Sequence, residues 1–362
     1  MSIDRKGNNK VAIICPYPEG IAPGQRFRFE LFLDSLSANG FHCSIYSFLD
    51  TDTYSYLYRK GFFLKKAMGV LKGYFRRVVH LFRIRDAHFV LLHREAAPLG
   101  PPVFEWLISR VMKKKMIYDF DDAIWLPTIS KANKLARQFK WYSKVATICK
   151  WSAKISVGND YLAAYASKYN NHVVVIPSVV DTDATYNVCQ NQSSGKPHIG
   201  WSGTFSTVRH LQLVLPSLQE LQQKRDFVFF VIADIDPRLP LKNYRYIKWQ
   251  RDSEVADLLN FHVGLMPLIE DEYSYGKGGF KAIQYMSLGI PAVVSPIGVN
   301  KTLVDDGVDG YHCGGKTEWT QKLECLLDNH ERRSAMGKAA RQKIVSQYSM
   351  NAIKDKFIEL FS

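Results

Sequence analysis

Short apolar runs alternate with helical stretches along this chain, and the pattern starts again near residue 198. The first half contains six such runs, KVAIIC, FHCSIYSFL, HFVLLH, MKKKMIYDF, AKISVG and NHVVVIP, and the second contains five, HIGWSG, DFVFFVIAD, YRYIKW, VGLMPL and PAVVS. Strands that alternate with helices predict a parallel sheet with helices on both faces. Two successive sets predict an α/β fold with two Rossmann-like domains that face each other across a cleft.

The length of 362 residues and the apolar fraction of 46% also suit two domains rather than one. The segment 181–197 is polar, rich in turn-forming residues and without periodicity, which is typical of a linker. We therefore predict domains at 1–180 and 198–345, and a C-terminal helix at 346–362 that crosses back to the first domain. Because ligands of such folds bind at the carboxyl ends of the strands, we expect them at the loops 16–26, 93–101, 119–127, 202–209 and 270–281.

The net charge of +14 favours an anionic partner, which includes nucleic acid, a phospholipid surface and a phosphate-bearing substrate. The chain lacks the signatures of common nucleic-acid-binding modules, which argues against the first of these. The cysteines show no CxxC pair and no metal-ligand spacing, and no apolar run is long enough for a signal peptide or a membrane span. These features predict a reduced, cytoplasmic protein without a bound metal.

A strongly basic segment covers residues 59–85, since there is no acid between Asp52 and Asp86. Its apolar residues recur at helical spacing at Leu64, Met68, Leu71, Phe75, Val78 and Phe82. Such a helix either lies at the interface of an anionic membrane or packs its apolar stripe on the sheet of its own domain. We expect the stripe to pack in the core, and the remaining positive charge to draw the protein to the inner face of a membrane.

Glycines and lysines come together at residues 276–281 (GKGGFK), just before an amphipathic helix. Gly278 and Gly279 leave backbone N–H groups accessible, and this arrangement binds phosphate at a helix N-terminus. Lys277 and Lys281 would neutralise a diphosphate, and Gln284 would donate to a ribose hydroxyl. The alternative is a glycine loop with two solvated lysines.

A second phosphate-binding turn is predicted after the strand HIGWSG. Its backbone and hydroxyl groups come from Gly203, Thr204, Ser206 and Thr207. Arg209 follows and would bind a diphosphate through two N–H groups. The alternative, a surface arginine in the first turn of a helix, is disfavoured by the helix dipole.

The segment from Gln284 to Pro291, with Gly289-Ile-Pro291, resembles the retaining glycosyltransferases of the GT-B fold, known as glycosyltransferase group 1 or family 4. The family carries a Glu-x7-Glu motif before Gly-x-Pro, and here Gly276 and Gln284 stand at the two acidic positions. Arg209 stands where the family has a lysine. The resemblance implies metal-independent transfer of a hexosyl group from a nucleotide-diphosphate sugar, with no other cofactor and with retention of configuration.

Breaking the bond between the sugar and the diphosphate leaves negative charge on the diphosphate. We therefore predict that Arg209 and Lys281 act in catalysis and that Lys277 helps to bind the donor. Asp271 or Glu272, just upstream, would take over the contact with the sugar hydroxyls.

Three carboxylates follow the fourth predicted strand, at Asp119, Asp121 and Asp122. In the family this region lies near the reacting sugar, so we predict Asp121 and Asp122 as further catalytic residues, one of which would contact a sugar or acceptor hydroxyl. The alternatives are a helix cap, a salt bridge with Arg94 or the lysines at 113–115, and an Asp-x-Asp metal site. Further acceptor-side candidates are Gly24, Arg26, His93, Arg94 and Glu95.

The sequence thus predicts a glycosyltransferase that acts on a lipid-linked or polysaccharide-precursor acceptor, as in the synthesis of lipopolysaccharide or capsule. The other hypotheses are an inactive module that binds nucleotide sugars, which the missing acids favour, and a basic nucleic-acid-binding protein.

Overall fold

The computed structural model describes residues 9–57, 59, 61–127, 140–193 and 195–362. Lys60 of the basic segment, Ser194 and the first eight residues lie outside this part of the chain. The chain divides into two units, one formed by Met1–Ser178 with Lys354–Ser362 and the other by Val179–Ile353.

The first unit contains a parallel sheet of six strands in the order β2-β1-β3-β4-β5-β6. The strands are β1 (Lys10–Cys15), β2 (His42–Ser47), β3 (Phe89–His93), β4 (Lys115–Phe120), β5 (Lys154–Val157) and β6 (Val173–Val175). Its described helices are α1 (Pro23–Arg26), α2 (Leu33–Ala38), α3 (Thr51–Leu57), α4 (Phe63–Arg83), α5 (Val103–Trp106), α6 (Lys144–Trp151) and α7 (Asp160–Ala166). The centre of the sheet is fully buried, as expected for apolar strands covered on both faces.

The second unit contains another six-stranded parallel sheet, in the order β12-β11-β10-β7-β8-β9. The strands are β7 (Ile199–Gly203), β8 (Phe229–Ala233), β9 (Tyr244–Lys248), β10 (Val263–Met266), β11 (Ala292–Val294) and β12 (Gly310–His312). A 3-10 helix at Phe205–Leu213 follows β7, and the α-helices are α8 (Leu215–Lys224), α9 (Glu254–Leu258), α10 (Glu272–Tyr275), α11 (Phe280–Ser287), α12 (Asn300–Leu303), α13 (Lys316–Asp328) and α14 (His330–Lys343). The last helix, α15 (Met350–Ile358), begins in the second unit and ends in the first. The predicted α/β fold with two Rossmann-like sheets is confirmed.

Each strand order reverses direction at one point, which is where open parallel sheets bind ligands outside the carboxyl ends of the strands. In the first unit this switch point lies between β1 and β3, and in the second it lies between β7 and β10. The loops after these four strands are therefore the positions to search for a functional site.

The end of the chain packs in the first unit, and the segment 181–197 belongs to the second unit. Phe357 of α15 stacks on Phe32 with ring centroids 4.3 Å apart, and Phe361 lies against Phe89 at 5.7 Å, so the last residues belong to the core of the first unit. Tyr186 is buried in the second unit, where its backbone carbonyl accepts a hydrogen bond from Arg341.

Helix α4 packs in the opposite orientation from the predicted one. Its apolar stripe (Leu64, Met68, Leu71, Phe75, Val78 and Phe82) is 44% to 78% exposed. The helix instead contacts the unit through Gly69, Gly73, Arg77 and His80, which are buried. The expectation that the stripe packs in the core is wrong, because small residues and one arginine hold this helix against the sheet.

Candidate functional site

In the second unit, the turn after β7 is shaped by packing around Gly203. A Cβ at this position would lie 2.5 Å from the Trp201 ring and 2.7 Å from Thr207 Oγ1, so a larger residue does not fit. Thr204 caps the helix that follows: the Thr207 backbone N–H donates to the Thr204 carbonyl over 2.8 Å, and the Thr204 N–H donates to Thr207 Oγ1 over 3.1 Å. Thr204 Oγ1 and Ser206 Oγ are 2.8 Å apart and solvent-exposed, which leaves two hydroxyl groups facing outward at this turn.

Arg209 forms an ion pair with Asp271. Its guanidinium donates to Asp271 Oδ2 over 2.8 Å, while Asp271 Oδ1 accepts from the backbone N–H of Ser274 over 2.7 Å and so caps α10. Burial opposes ionisation of Asp271, but the hydrogen bonds from Ser274 and Arg209 outweigh it and lower the pKa of the carboxyl group. The pair joins the loops after β7 and β10, the two strands at the switch point. The neighbouring Glu272 is exposed in the first turn of α10.

Lys281 lies in the first turn of α11 and reaches toward the same turn. Its ammonium donates to Thr207 Oγ1 over 3.4 Å and lies 4.9 Å from the centroid of the Trp201 ring. Burial, together with the positive charge of Lys277, lowers the pKa of Lys281 to about 7. Lys277 packs over the ring of Tyr273, with its ammonium 4.2 Å from the ring centroid.

His210 follows Arg209 in the same 3-10 helix. Its Nδ1 accepts the backbone N–H of Ile269 over 3.0 Å, and the side chain is buried. Burial and the positive charges of Arg209, Lys281 and Lys277 lower the pKa of His210 to about 4. The Arg209–Asp271 ion pair and the contact of Lys281 with Thr207 place two of these cations at the turns that follow β7 and β10.

The glycine loop before α11 requires glycine at one position in particular. Gly279 has a φ of +70°, a conformation that other residues adopt at a cost, and a Cβ there would lie 2.6 Å from Leu303 Cδ2. Gly278 is only partly buried and lies one residue further from the helix. The tight turn brings Lys277 and Lys281 to the same end of α11.

Gln284, which was predicted to contact a ribose, lies in α11. It is buried, and its Nε2 donates to the hydroxyl of Tyr186 over 2.7 Å. That hydroxyl in turn donates to Glu254 Oε2 over 3.1 Å. In this structure the amide group of Gln284 holds the segment around Tyr186 against α11.

In the first unit, three neighbouring strands align a buried polar network. His93 and Asp119 are opposite each other in the register of β3 and β4, and Ser156 is opposite Asp119 in β5. His93 Nδ1 donates to Asp119 Oδ2 over 2.7 Å, and the buried guanidinium of Arg28 donates to Asp119 Oδ1, to the Ile176 carbonyl and to Ser156 Oγ. Burial opposes ionisation of Asp119, but Arg28 and His93 lower its pKa well below the usual range. No pattern in the sequence pointed to the role of Arg28.

Arg94 forms ion pairs with the other two carboxylates, those of Asp121 and Asp122. It donates to Asp121 Oδ1 over 2.7 Å and to Asp122 Oδ2 over 2.8 Å, from a backbone with a φ of +61°. Gly24 lies against this group, since a Cβ there would be 3.2 Å from Asp121 Oδ2. The loops after β1, β3 and β4 thus bring together Gly24, Arg94, Asp121 and Asp122, and the salt bridge that was one alternative for these carboxylates is present.

The remaining acceptor-side candidates have structural partners. Glu95 forms an ion pair with the buried Lys144 over 2.7 Å. Arg26 lies over the ring of Phe27, 4.7 Å from its centroid. The loop that contains Arg26 is fixed by Gln25, whose Oε1 accepts the Tyr17 N–H over 2.8 Å.

A pocket of about 660 Å³ opens in the first unit beside the loop after β3. It is lined mainly by Tyr74, Leu99, Pro101, Lys140, Trp141 and Tyr142. Its aromatic rings were not among the residues that the sequence pointed to.

In the described part of the chain, no helix is both long and apolar enough to cross a lipid bilayer.

Part of the second unit is similar to a known family. Residues 189–343 match the family of glycosyl transferases group 1. The matched region includes Arg209, Asp271, Lys277 and Lys281. No curated protein sequence matches the chain.

Solved structures share the whole fold at low sequence identity. A glycosyltransferase from Rickettsia africae has a TM-score of 0.68 at 14% identity, with 98% of each chain covered. The Anabaena protein HepE in complex with UDP-glucose has a TM-score of 0.68 at 12% identity, covering 97% of this chain and 99% of that one. WaaG, a glycosyltransferase involved in lipopolysaccharide biosynthesis, has a TM-score of 0.63 at 14% identity, covering 98% of this chain and 99% of that one. The two Rossmann-like sheets therefore form the GT-B fold of glycosyltransferases.

Proposed function

We propose that this protein is a retaining glycosyltransferase that takes a sugar from a nucleotide-diphosphate sugar. The observation that carries the proposal is geometric: Arg209 is paired with Asp271, and Lys281 is bonded to Thr207, at the strand ends where open parallel sheets bind their ligands. This cluster lies in the matched family region. The similar structure of HepE contains UDP-glucose, which supports a donor of this chemical class.

The chemistry that we assign to the cations follows from where charge develops. When the bond between the anomeric carbon and the diphosphate oxygen breaks, negative charge grows on the departing diphosphate. Cations that are already in place stabilise this charge without reorganisation, an effect that is usually the largest in an enzyme site. We assign catalysis to Arg209 and Lys281, and a metal ion is not part of the proposed mechanism.

The donor also needs hydrogen-bonding groups around the cations. We propose that the N–H and hydroxyl groups of the Gly203–Thr207 turn and the loop of Gly278 and Gly279 contact the phosphates. Asp271 and Glu272 follow β10 and are proposed to contact the sugar hydroxyls.

We assign the acceptor to the first unit. Asp121 and Asp122, held by Arg94, are the carboxylates proposed to meet a hydroxyl group. The similar structure WaaG acts in lipopolysaccharide biosynthesis, and another, TarM from S. aureus, was solved with UDP and α-GlcNAc-glycerol. These neighbours support an acceptor that is lipid-linked or a polysaccharide precursor, used at the cytoplasmic face of a membrane.

The first experiment is a thermal-shift screen of UDP-, GDP-, ADP- and CDP-sugars with the purified full chain. A ligand that binds only the folded state increases the free energy of unfolding by about 2.7 kcal/mol at a hundredfold excess over Kd, and so raises the apparent Tm. The proposal requires that one nucleotide class stabilises the protein. If none of them shifts the Tm at millimolar concentration, the donor assignment is wrong.

An inactive module that binds nucleotide sugars is the second candidate. Gly276 and Gln284 occupy the two positions where the family has acids, and the amide of Gln284 is held by Tyr186. Radiolabelled sugar transfer, and slow hydrolysis of the selected donor, separate the two functions. Binding without any turnover over a broad panel of acceptors would favour the inactive module.

A further inference from the structure

Helix α4 presents an apolar stripe to solvent along its whole length. The stripe residues Leu64, Met68, Leu71, Phe75, Val78 and Phe82 are all exposed, and the buried residues Gly69, Gly73, Arg77 and His80 lie on the opposite side of the helix. From Leu64 to Phe82 the stripe extends over about 27 Å at 1.5 Å per residue. Isolated apolar side chains on a surface are ordinary, but a continuous stripe of this size marks an interaction surface.

The outward orientation is fixed by how α4 contacts its own unit. A Cβ at Gly69 would lie 2.3 Å from Thr53, and one at Gly73 would lie 2.5 Å from the Phe48 ring, so only glycine allows this close approach. Arg77 donates to the backbone carbonyls of Cys15, Tyr46 and Ala96 over 2.8 to 3.0 Å. These contacts hold the helix with its glycines toward the unit. The stripe, on the opposite side of the helix, therefore faces solvent.

The charges beside the stripe identify its partner. Lys65, Lys72 and Arg83 lie on one flank of the stripe at helical spacing, and no acid occurs between Asp52 and Asp86. Arg76, on the same flank, forms an ion pair with Asp50 over 2.8 Å, which leaves the other three to act on a partner. An anionic surface with an apolar interior matches this combination of side chains.

A second copy of this chain would be a poor partner for the stripe. The spacing of the stripe alternates between four and three residues, which is also the pattern of a coiled-coil seam. In a coiled coil, however, the flanking positions form pairs of opposite charge. Two copies of α4 would bring basic flanks together without an acid to pair with them.

We propose that α4 is an interfacial helix that inserts its apolar stripe into an anionic phospholipid leaflet while its basic flank contacts the lipid phosphates. The apolar stripe and the charge are both required, so that the association is not purely electrostatic. This inference is independent of the proposed enzymatic activity, since its tests measure binding to lipid and need no sugar donor.

The test is flotation of the full chain with vesicles of phosphatidylcholine, with and without phosphatidylglycerol. The Leu71→Gln/Phe75→Gln variant removes two exposed apolar side chains and changes no charge. The Ile235→Gln/Val308→Gln variant does the same in the second unit, where both residues are exposed, and is the matched control. We expect the α4 variant to bind phosphatidylglycerol vesicles at least about tenfold more weakly than wild type, since insertion buries apolar area, and the control to bind like wild type.

A second pair of variants tests the charge. Lys65→Gln/Lys72→Gln is expected to weaken vesicle binding by at least about tenfold, because each lysine near an anionic surface contributes favourably. Lys301→Gln/Lys338→Gln, which removes the same charge from exposed positions in the second unit, should bind like wild type. All variants change exposed residues, and their unfolding temperatures report whether they fold.

Three results would overturn the inference. The first is equal binding by the Leu71→Gln/Phe75→Gln variant and its control, which would mean that no apolar side chain inserts. The second is wild-type protein that does not float with phosphatidylglycerol vesicles. The third is a lipid-free dimer in sedimentation velocity that the same variant dissociates, which would assign the stripe to a second copy of the chain.

Discussion

The guanidinium of Arg209 donates to Asp271 Oδ2 over 2.8 Å, so a carboxylate already holds the cation that we assign to the diphosphate. The two residues follow β7 and β10, which are neighbours at the switch point of the second sheet. Because Ser274 and Arg209 lower the pKa of Asp271, the carboxylate is ionised at neutral pH. Binding of a diphosphate must therefore share or break this ion pair.

Asp271→Asn tests this competition. The asparagine still caps α10 through its amide oxygen, but it no longer offers Arg209 a carboxylate. Since partly exposed ion pairs contribute up to about 1 kcal/mol, the nucleoside diphosphate of the selected donor should bind about two- to fivefold more tightly. Isothermal titration calorimetry measures this affinity. The control is Glu272→Gln, which removes one charge from the next residue and should leave the affinity unchanged; weaker binding by Asp271→Asn would show that the carboxylate assists the phosphate site.

Lys281 predicts how donor affinity depends on pH. Burial and Lys277 lower the pKa of its ammonium to about 7 in the free protein, and a bound diphosphate favours the charged form. Affinity for the donor should be constant below pH 7 and fall as the pH rises through and above the free pKa, by up to about tenfold per unit. Among its neighbours, His210 has a pKa lowered to about 4 and Asp271 a lowered pKa, so neither titrates in this range.

The titration uses the nucleotide sugar rather than the free nucleotide, because the diphosphate of a nucleotide sugar has no terminal phosphate group that titrates near neutral pH. Lys281→Arg is the control, since arginine stays protonated at these pH values and should flatten the profile. A wild-type affinity that does not change between about pH 6 and pH 9 would remove Lys281 from the phosphate site.

A substitution of Gly279 tests the shape of the loop before α11 without changing its charge. Gly279→Ala places a Cβ 2.6 Å from Leu303 in a backbone with a φ of +70°. Gly307→Ala is the matched control, because its φ is +81° and its Cβ would meet no atom within 4 Å. Gly307→Ala should lower the free energy of unfolding by about 1 kcal/mol, which is the cost of the left-handed conformation for a non-glycine residue. Gly279→Ala should lose more stability in urea unfolding and should also bind the nucleoside diphosphate more weakly; equal effects of the two substitutions would contradict this.

Much of the fold follows from the sequence because buried parallel strands are apolar runs. Eleven of the twelve strands coincide with predicted runs, and the missed one, Gly310–His312, has three residues and no apolar run to reveal it. The orientation of α4 was not predictable from periodicity, which gives the stripe but not the side that meets the sheet. That side is set by the glycines at 69 and 73 and by the carbonyl groups that Arg77 reaches.

Part of the candidate site could also be predicted from local sequence patterns. Arg209 and Lys281 follow recognisable turns, so their positions could be inferred from local patterns. Their contacts could not, because Asp271 meets Arg209, and Thr207 meets Lys281, only through strand order and packing. The same holds for Asp119, which His93 reaches through the register of β3 and β4 and which Arg28, outside the strands, reaches by packing.

The Asp119 network predicts a large loss of stability when its charge is removed. Asp119→Asn leaves the buried Arg28 without its counter-charge, which typically costs about 3–5 kcal/mol. The folded-state pKa of Asp119 is depressed, so its stabilising effect is fully present above the unfolded-state pKa and is lost as the pH falls from there through the folded-state pKa. Urea unfolding at neutral pH measures the loss.

Asp86→Asn is the control for this substitution, because Asp86 is 82% exposed and its distance to Lys10 is 3.8 Å. It should leave the unfolding midpoint unchanged. If Asp119→Asn shifts the midpoint no more than Asp86→Asn, the buried network does not stabilise the first unit.

The most direct test of the account is the affinity of the nucleoside diphosphate for a variant that lacks two of the converging cations. Arg209→Ala/Lys281→Ala removes them, and Lys301→Ala/Lys338→Ala removes the same charge from exposed positions of the same unit. Since each charge-assisted hydrogen bond contributes about 1.5–3 kcal/mol, calorimetry should show binding at least about a hundredfold weaker in the first variant and unchanged in the second. Equal affinity of the two variants would contradict the assignment of these cations to the diphosphate.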